Sequence, residues 1–341
     1  MKRLKFGNKI IFFVNSLVAT LLLVSYLLPY VPPKSFSLLS VLSLGVPLLI
    51  ILNILFCMYW LLRVKKQLLL SLVVLLFGIK HINAMYKFSP STNVEATDNF
   101  SVMSFNVRMF NRYQSIASKT VKEDIITFIK TEAPEIICLQ EYRTGDPVIL
   151  DGYYSFNALP TENKIKWGQA IFSKYPIINS GSLEFPNTNN NAIFVDIVKA
   201  KDTIRVYTLH LQSAGINTSV NNLKHQKSTD LFKQVGSTFK AQQSQVELIL
   251  KHRAKCTYKT IITGDFNNTA YSYIYKEVKQ DLLDTFKEAG NGFGRTYDFK
   301  FFPVRIDFIL VDELFSVNGF KTFDDVKLSD HHPIKATLNL H

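Results

Sequence analysis

A chain of 341 residues has room for one large domain or two ordinary ones, and its net charge of +12 is spread unevenly. Residues 1–89 hold ten Lys or Arg and no Asp or Glu, whereas residues 90–341 carry 29 basic side chains against 27 acidic ones, a net of +2. The basic excess therefore flanks apolar segments and gives no ground for nucleic-acid binding by the remainder; the three cysteines, Cys57, Cys138 and Cys256, follow no zinc or disulfide spacing.

Nothing is charged from Ile10 to Leu28 or from Ser35 to Leu62, and both stretches exceed the roughly 18 apolar residues that argue for a spanning helix. The first lacks a small-residue cleavage site and is expected to stay, not to be removed as a signal peptide. A third run, Leu68 to Ile79, is 12 residues long, too short to cross alone. It spans if Val64 to Tyr86 is one helix, with Lys65, Lys66 and Lys80 reaching the two surfaces. Lys2, Arg3, Lys5 and Lys9 precede the first span, Lys34 alone separates the first two, and Arg63, Lys65 and Lys66 follow the second. The N-terminus and the 63–67 loop thus belong in the cytoplasm. Three spans carry the rest of the chain outside; two leave it in. Three are expected, because the apolar run after the short basic loop is otherwise hard to explain. The expected organisation is a multi-pass anchor over 1–88 in the plasma (inner) membrane, a polar linker over 89–97, and an extracytoplasmic domain over 98–341.

The domain opens with a buried-type strand, Phe100 to Val107, that carries Asn106 near its end. Thr120 and Glu123 have capping-box spacing, and Ile125, Ile126 and Ile129 repeat at helical spacing until Pro134. A second apolar strand, Ile136 to Glu141, ends in a carboxylate, so strand, helix and strand suggest an α/β unit with polar residues at strand ends. Gly168 to Ser173, Ala192 to Val198 and Thr203 to Leu211 read as antiparallel strands, the last carrying His210. Residues 221–253 turn helical towards their end and pack on the sheet.

Lys259 to Ile262 is a short strand running into Gly264-Asp265-Phe266-Asn267, where Asp265 and Asn267 face the same way if the extended conformation persists. A charged acceptor beside a neutral amide suits a site that handles a phosphate next to a metal, although an ordinary Asx turn uses the same residues. Asp307 lies in the apolar run Arg305 to Val311 and needs a partner if buried, either Arg305 or a histidine. Asp330 and His331 close the chain's polar set at a turn before a final strand.

Seven short segments, Met103 to Asn106, Leu139 to Glu141, Gly168 to Pro176, Thr208 to Leu211, Gly264 to Asn267, Arg305 to Leu310 and Ser329 to His331, resemble in order the endonuclease/exonuclease/phosphatase superfamily of metal-dependent phosphodiesterases. The resemblance covers about residues 98–341 and implies an α/β fold, a four-layer sandwich of two packed mixed sheets flanked by helices. It implies Glu141 as the main Mg2+ ligand, Mn2+ being the other candidate ion, with Asn106 and Asp330 completing an oxygen-rich shell. It further implies His331 as base or electrostatic partner at the phosphate, Asp307 orienting it, and Asn267 and His210 donating to phosphoryl oxygens. Asp265 orients the attacking water or manages a proton, and which residue is the general base stays open.

The function expected is a membrane-tethered, divalent-metal-dependent phosphodiester hydrolase acting by in-line water attack. A lipid or small phosphodiester is favoured over duplex DNA, because a net +2 domain lacks the charge excess that a phosphate backbone draws. The partners expected are the bilayer and the phosphodiester, with nucleic acid as an alternative substrate for an extracytoplasmic endonuclease or exonuclease; no protein partner is deducible from the sequence. A membrane-anchored binding module without turnover is the alternative from a different class.

Overall fold

The computed structural model describes residues 4–88, 94–143, 147–158, 167–215, 227–299 and 302–340. Apolar side chains all round make the helices Phe6–Ser25, Val46–Leu62 and Leu68–Phe77 the material of a bundle. Two stretches, Phe6–Tyr30 and Ser37–Leu62, are long and apolar enough to cross a membrane; Leu68–Phe77 with Ile79–Met85 makes a third if counted as one span. The unbroken helix expected over 64–86 is corrected: it bends by 75° at Gly78. A Cβ at Gly78 would lie 1.9 Å from the Tyr26 hydroxyl, so the first helix packs where a side chain would have to go. Polar residues join the bundle internally: Asn15 donates to Ser71 at 2.6 Å and accepts from the Trp60 indole at 2.8 Å.

The chain then lays down β1 Tyr86–Lys87, β2 Phe100–Asn106, β3 Ile136–Arg143, β4 Tyr154–Ala158, β5 Trp167–Ser173, β6 Ile177–Ser182 and β7 Asn191–Lys199. There follow β8 Asp202–His210, β9 Lys259–Asp265, β10 Leu283–Asp284, β11 Gly292–Phe293, β12 Asp307–Val311, β13 Phe315–Thr322 and β14 Ile334–Leu340. One sheet has the order β13-β14-β2-β3-β5-β4, the other β10-β12-β9-β8-β7-β6, and β1 pairs with β11 as a small ribbon. Both large sheets are mixed: β2 runs parallel to β3 and β8 parallel to β9, and each parallel pair is joined through a helix, Val121–Glu132 or Ser228–Arg253.

Inward-facing Val102, Ile136, Ile193, Val206, Ile261 and Ile309 fill the space between the sheets. Ile125 and Ile129 cover the outer face of one sheet with Met103 and Leu139, and Val246 and Ile249 cover the other with Leu209 and Ile262. The result is helix, sheet, sheet, helix, the four-layer α/β sandwich expected. The Thr120 capping box is corrected: the hydroxyl donates to Asp124 at 2.9 Å, and no side chain caps Val121–Glu132. Ala133 ends that helix in the left-handed region just ahead of Pro134.

The bundle docks on one end of the sandwich. The Lys34 amide, between the first two long helices, donates to Gln243 at 2.8 Å, and its ammonium pairs with Glu247, both on Ser228–Arg253. Tyr271 is buried in the bundle's core cluster with Leu22, Val46 and Ile50, and its hydroxyl donates to the His81 carbonyl at 3.2 Å.

Candidate active site

The site forms where strand ends of the two sheets meet. Asn106 ends β2, Glu141 lies near the end of β3, His210 ends β8, Asp265 ends β9 and Asp307 starts β12. Glu141 sits at a break in the β3–β5 register with φ +50°, which re-aims its side chain out of the pleat. Asp265 and Asp307 are direct register partners on the antiparallel strands β9 and β12. The preceding Gly264 has φ +127°, and a Cβ there would fall 2.1 Å from the Leu209 carbonyl, so only glycine lets β9 press this closely on β8.

The side chains converge on one pocket. Asn106 Nδ2 donates to Asp265 Oδ2 at 3.1 Å and to Glu141 Oε1 at 3.3 Å, bridging the two sheets. His210 Nε2 lies 3.8 Å from both Glu141 Oε1 and Asp265 Oδ2. His331 Nδ1 meets Asp307 at 3.0 Å, while its Nε2 lies 3.7 Å from Asp265 Oδ2. His331, not Arg305, is thus the partner of Asp307, and Arg305 forms a two-pronged pair with Asp284 at 3.0 and 2.9 Å. Asn267, with φ +47°, commits its amide to Leu211 O at 2.9 Å and Asp265 Oδ2 at 3.2 Å, and its backbone N–H donates to Asp265 Oδ1 at 2.8 Å. In this arrangement it holds the acid in place more than it presents a free donor.

Asp330 stands at the rim, 3.1 Å from the Arg108 guanidinium, and its neighbour Ser329 donates to the Asn106 carbonyl at 2.8 Å. Arg108, Trp167, whose ring leans on His210 at 5.5 Å, and Tyr297, whose ring meets His331 at 5.0 Å, complete the walls. None of these three was singled out from the sequence. Arg108, two residues beyond Asn106, is the one its position could have flagged.

Burial shapes the charges. It pushes Asp265 up to about 7 against the pull of His331, and it raises Glu141 against His331 and the Asn106 hydrogen bond. Burial and the nearby His331 charge lower His210 to about 3, so it is neutral at working pH. Burial opposes the His331 imidazolium too, but the carboxylates of Asp307 and Asp265 outweigh it and hold that ring at about 10. With all three ionised, Glu141, Asp265 and Asp307 outnumber the one imidazolium by two charges, and burial, the main cause of the raised carboxyls, makes that excess costly. A divalent cation balances that excess, so these residues fit one. Asp265, Asp307 and His331 offer ligand atoms within 4.8 Å of one another. The sequence reading instead places the ion at Glu141, Asn106 and Asp330. His331 Nδ1 is engaged by Asp307 and its ring is charged, which makes it a poor ligand. Asn106 presents its donor nitrogen to the carboxylates, while its Oδ1 accepts from Arg108 N at 3.0 Å.

A family model described as the Endonuclease/Exonuclease/phosphatase family matches residues 103–331, and one described only as a domain of unknown function matches 8–85. Comparison with curated proteins gave no match. Among solved structures, an endonuclease/exonuclease/phosphatase from Bacteroides vulgatus is similar at 20% identity and TM-score 0.53, covering 71% of this chain and 99% of its own. The human Nocturnin catalytic domain with bound sulfate anion is similar at 16% identity and TM-score 0.54, covering 74% and 97%. A mannosyl-6-phosphatase of Bacteroides thetaiotaomicron is similar at 19% identity and TM-score 0.52, covering 71% and 100%. At these identities the likeness is one of fold.

Proposed function

We propose that this chain, which belongs to the endonuclease/exonuclease/phosphatase family and is a hydrolase of phosphate esters, works as a membrane-tethered phosphodiesterase on a lipid or small phosphodiester outside the cytoplasm. The observation that carries the reading is the meeting of Glu141, Asp265, Asp307, His210 and His331 in one pocket with a deficit of two positive charges. When bound, a divalent cation supplies charge at the phosphoryl oxygens and an ordered, more acidic water. Oxygen donors suit Mg2+ first and Mn2+ next. Glu141 would hold it, with Asp330 at the rim and Asn106 aligning the carboxylates.

His331, held protonated by Asp307, places its Nε2 proton where a phosphoryl oxygen gathers charge. That assignment leaves the proton of the attacking water to Asp265, whose raised carboxyl is suited to take it. Neutral His210 donates from Nε2, the nitrogen facing the two carboxylates.

The docking of the bundle supports the membrane reading. The 31–36 loop touches the domain, whereas the N-terminal end and the end of the second long helix meet at Asn8 and Tyr59, hydrogen-bonded at 2.9 Å, beside the basic residues 63–66. The domain and the less basic loop therefore share a side, which favours an extracytoplasmic domain. Asn267 is four residues from Tyr271 in the bundle's core, so the catalytic turn lies close to the bilayer surface. A near-neutral domain so placed suits a lipid head group better than a polynucleotide. A nuclease is the second reading, favoured by a structure of the same fold described as complexed with single strand DNA product.

Hydrolysis of sphingomyelin, phosphoinositide and plasmid DNA by the full-length protein in detergent with Mg2+ tests this. Lipid turnover is expected. DNA nicking without lipid turnover would install the nuclease, and metal binding without any turnover would leave a binding module.

A further inference from the structure

Beside the hydrolytic pocket lies a cavity of about 550 Å³ whose lining includes Arg112, Lys119, Lys122 and Arg143. Among the described residues its only acid is Glu123, and neither Arg112, Lys119 nor Arg143 is ion-paired to a described residue. Arg143 Nε is buried without a hydrogen-bond partner among the described residues, a costly state for a charged group unless something anionic meets it. The wall is a deliberately shaped loop. Arg108, Met109, Phe110 and Asn111 are successive non-glycine residues at φ +43° to +60°, a conformation that L residues rarely adopt and that persists where surrounding contacts enforce it. Asn111 is the clamp, donating to Ile116 O at 2.8 Å and accepting from Ile116 N at 3.0 Å.

The cavity and the hydrolytic pocket share a rim. Arg108 pairs with Asp330 on one side of the rim and leads into Met109, which lines the cavity. Arg143 is the register partner of Trp167, whose ring packs on His210, and it follows Glu141 by two residues, about 7 Å along a strand.

We infer that this cavity is a second anion subsite, which takes a phosphate or comparable dianionic group on the same substrate whose phosphodiester is cut beside Glu141. The inference rests on the hydrolase reading for its purpose but not for its test. It narrows the substrate to a phosphodiester that carries a further negative group close to the scissile one, and it explains how a domain with a net charge of only +2 concentrates positive charge where it is used.

The test is calorimetric titration of the full-length protein in detergent with inorganic phosphate, in the presence of a chelator so that no divalent ion draws phosphate to Glu141. One-to-one binding is expected, weakened at least fivefold in R112Q/K119Q, which alters two exposed side chains and leaves the melting temperature in place. R143Q is the second variant and is expected to weaken binding as much. Phosphate affinity unchanged in R112Q/K119Q would overturn the subsite. Turnover of bis(p-nitrophenyl) phosphate by the wild-type protein with Mg2+, measured in parallel, separates the two claims: its absence counts against the hydrolase, and loss of the subsite does not touch it.

Discussion

Asp307 lies directly opposite Asp265 across antiparallel β12 and β9, and that pairing lets one imidazole, His331, bond the first carboxylate at 3.0 Å while lying 3.7 Å from the second. Two carboxylates on adjacent strands cannot both stay ionised in a buried pocket without a cation between them. Here the imidazolium does part of that work.

Asp307→Asn is therefore expected to strip His331 of its main stabilising charge. The ring's pKa falls from about 10 towards the ordinary 6.5, and phosphodiester hydrolysis drops by roughly 10²- to 10⁴-fold at neutral pH. Imidazole resonances followed against pH in the metal-free variant check the first part, and turnover checks the second. A ring that still titrates near 10 would contradict the pairing.

Glu141→Gln separates function from stability. Burial is the main cause that raises the Glu141 carboxyl, so in chelator the variant should be as stable as the wild type or more so. With Mg2+ it should lose metal-induced stabilisation, the cation concentration at half effect rising at least about tenfold. Thermal melts over a Mg2+ series read both.

The two histidines give opposite pH slopes in the metal-free protein. His210 titrates near 3 when folded and 6.5 when unfolded, so the unfolded chain binds more protons in between, and stability falls as pH drops below 6.5. His331 titrates near 10 folded, so its contribution is complete below 6.5 and is lost as pH rises through 10. Each slope is bounded by about 1.4 kcal/mol per pH unit. Asp265, raised by burial, tilts the acid window the other way, so the slopes are read as differences between variants and wild type. Urea midpoints should show a flatter acid limb in His210→Asn and a flatter alkaline limb in His331→Asn.

Gly264→Ala places a Cβ 2.1 Å from the Leu209 carbonyl at φ +127°. The backbone of β8 cannot yield there without losing its ladder to β9, so a loss of at least about 3 kcal/mol is expected, a fall in melting temperature near 10 °C. A fall of less than 2 °C would mean that the strands do not pack this closely.

Much of the site could be read from the sequence because polar residues ended apolar runs: Asn106, His210 and Asp265 close strands, and Glu141 lies near the end of one, whose other residues are mostly buried. The partners could not. Arg305, two residues from Asp307, looked available, yet it lies before the strand begins and turns to Asp284 on the neighbouring strand. β4 and β6 escaped because edge strands need no apolar alternation, and neither has a fully buried residue. In β13 the pair Asn318-Gly319 resembles a turn but is a bulge within the strand. The break falls at Gly78, where a Cβ would meet Tyr26, more than fifty residues earlier.

The most direct measurement is hydrolysis of bis(p-nitrophenyl) phosphate by the full-length protein in detergent, with Mg2+ or with chelator, for the wild type and Glu141→Gln. Turnover that requires Mg2+ and falls by about 100-fold or more in the variant is predicted. Turnover that is indifferent to chelator, or equal in the two proteins, would show that these residues do not form the hydrolytic centre.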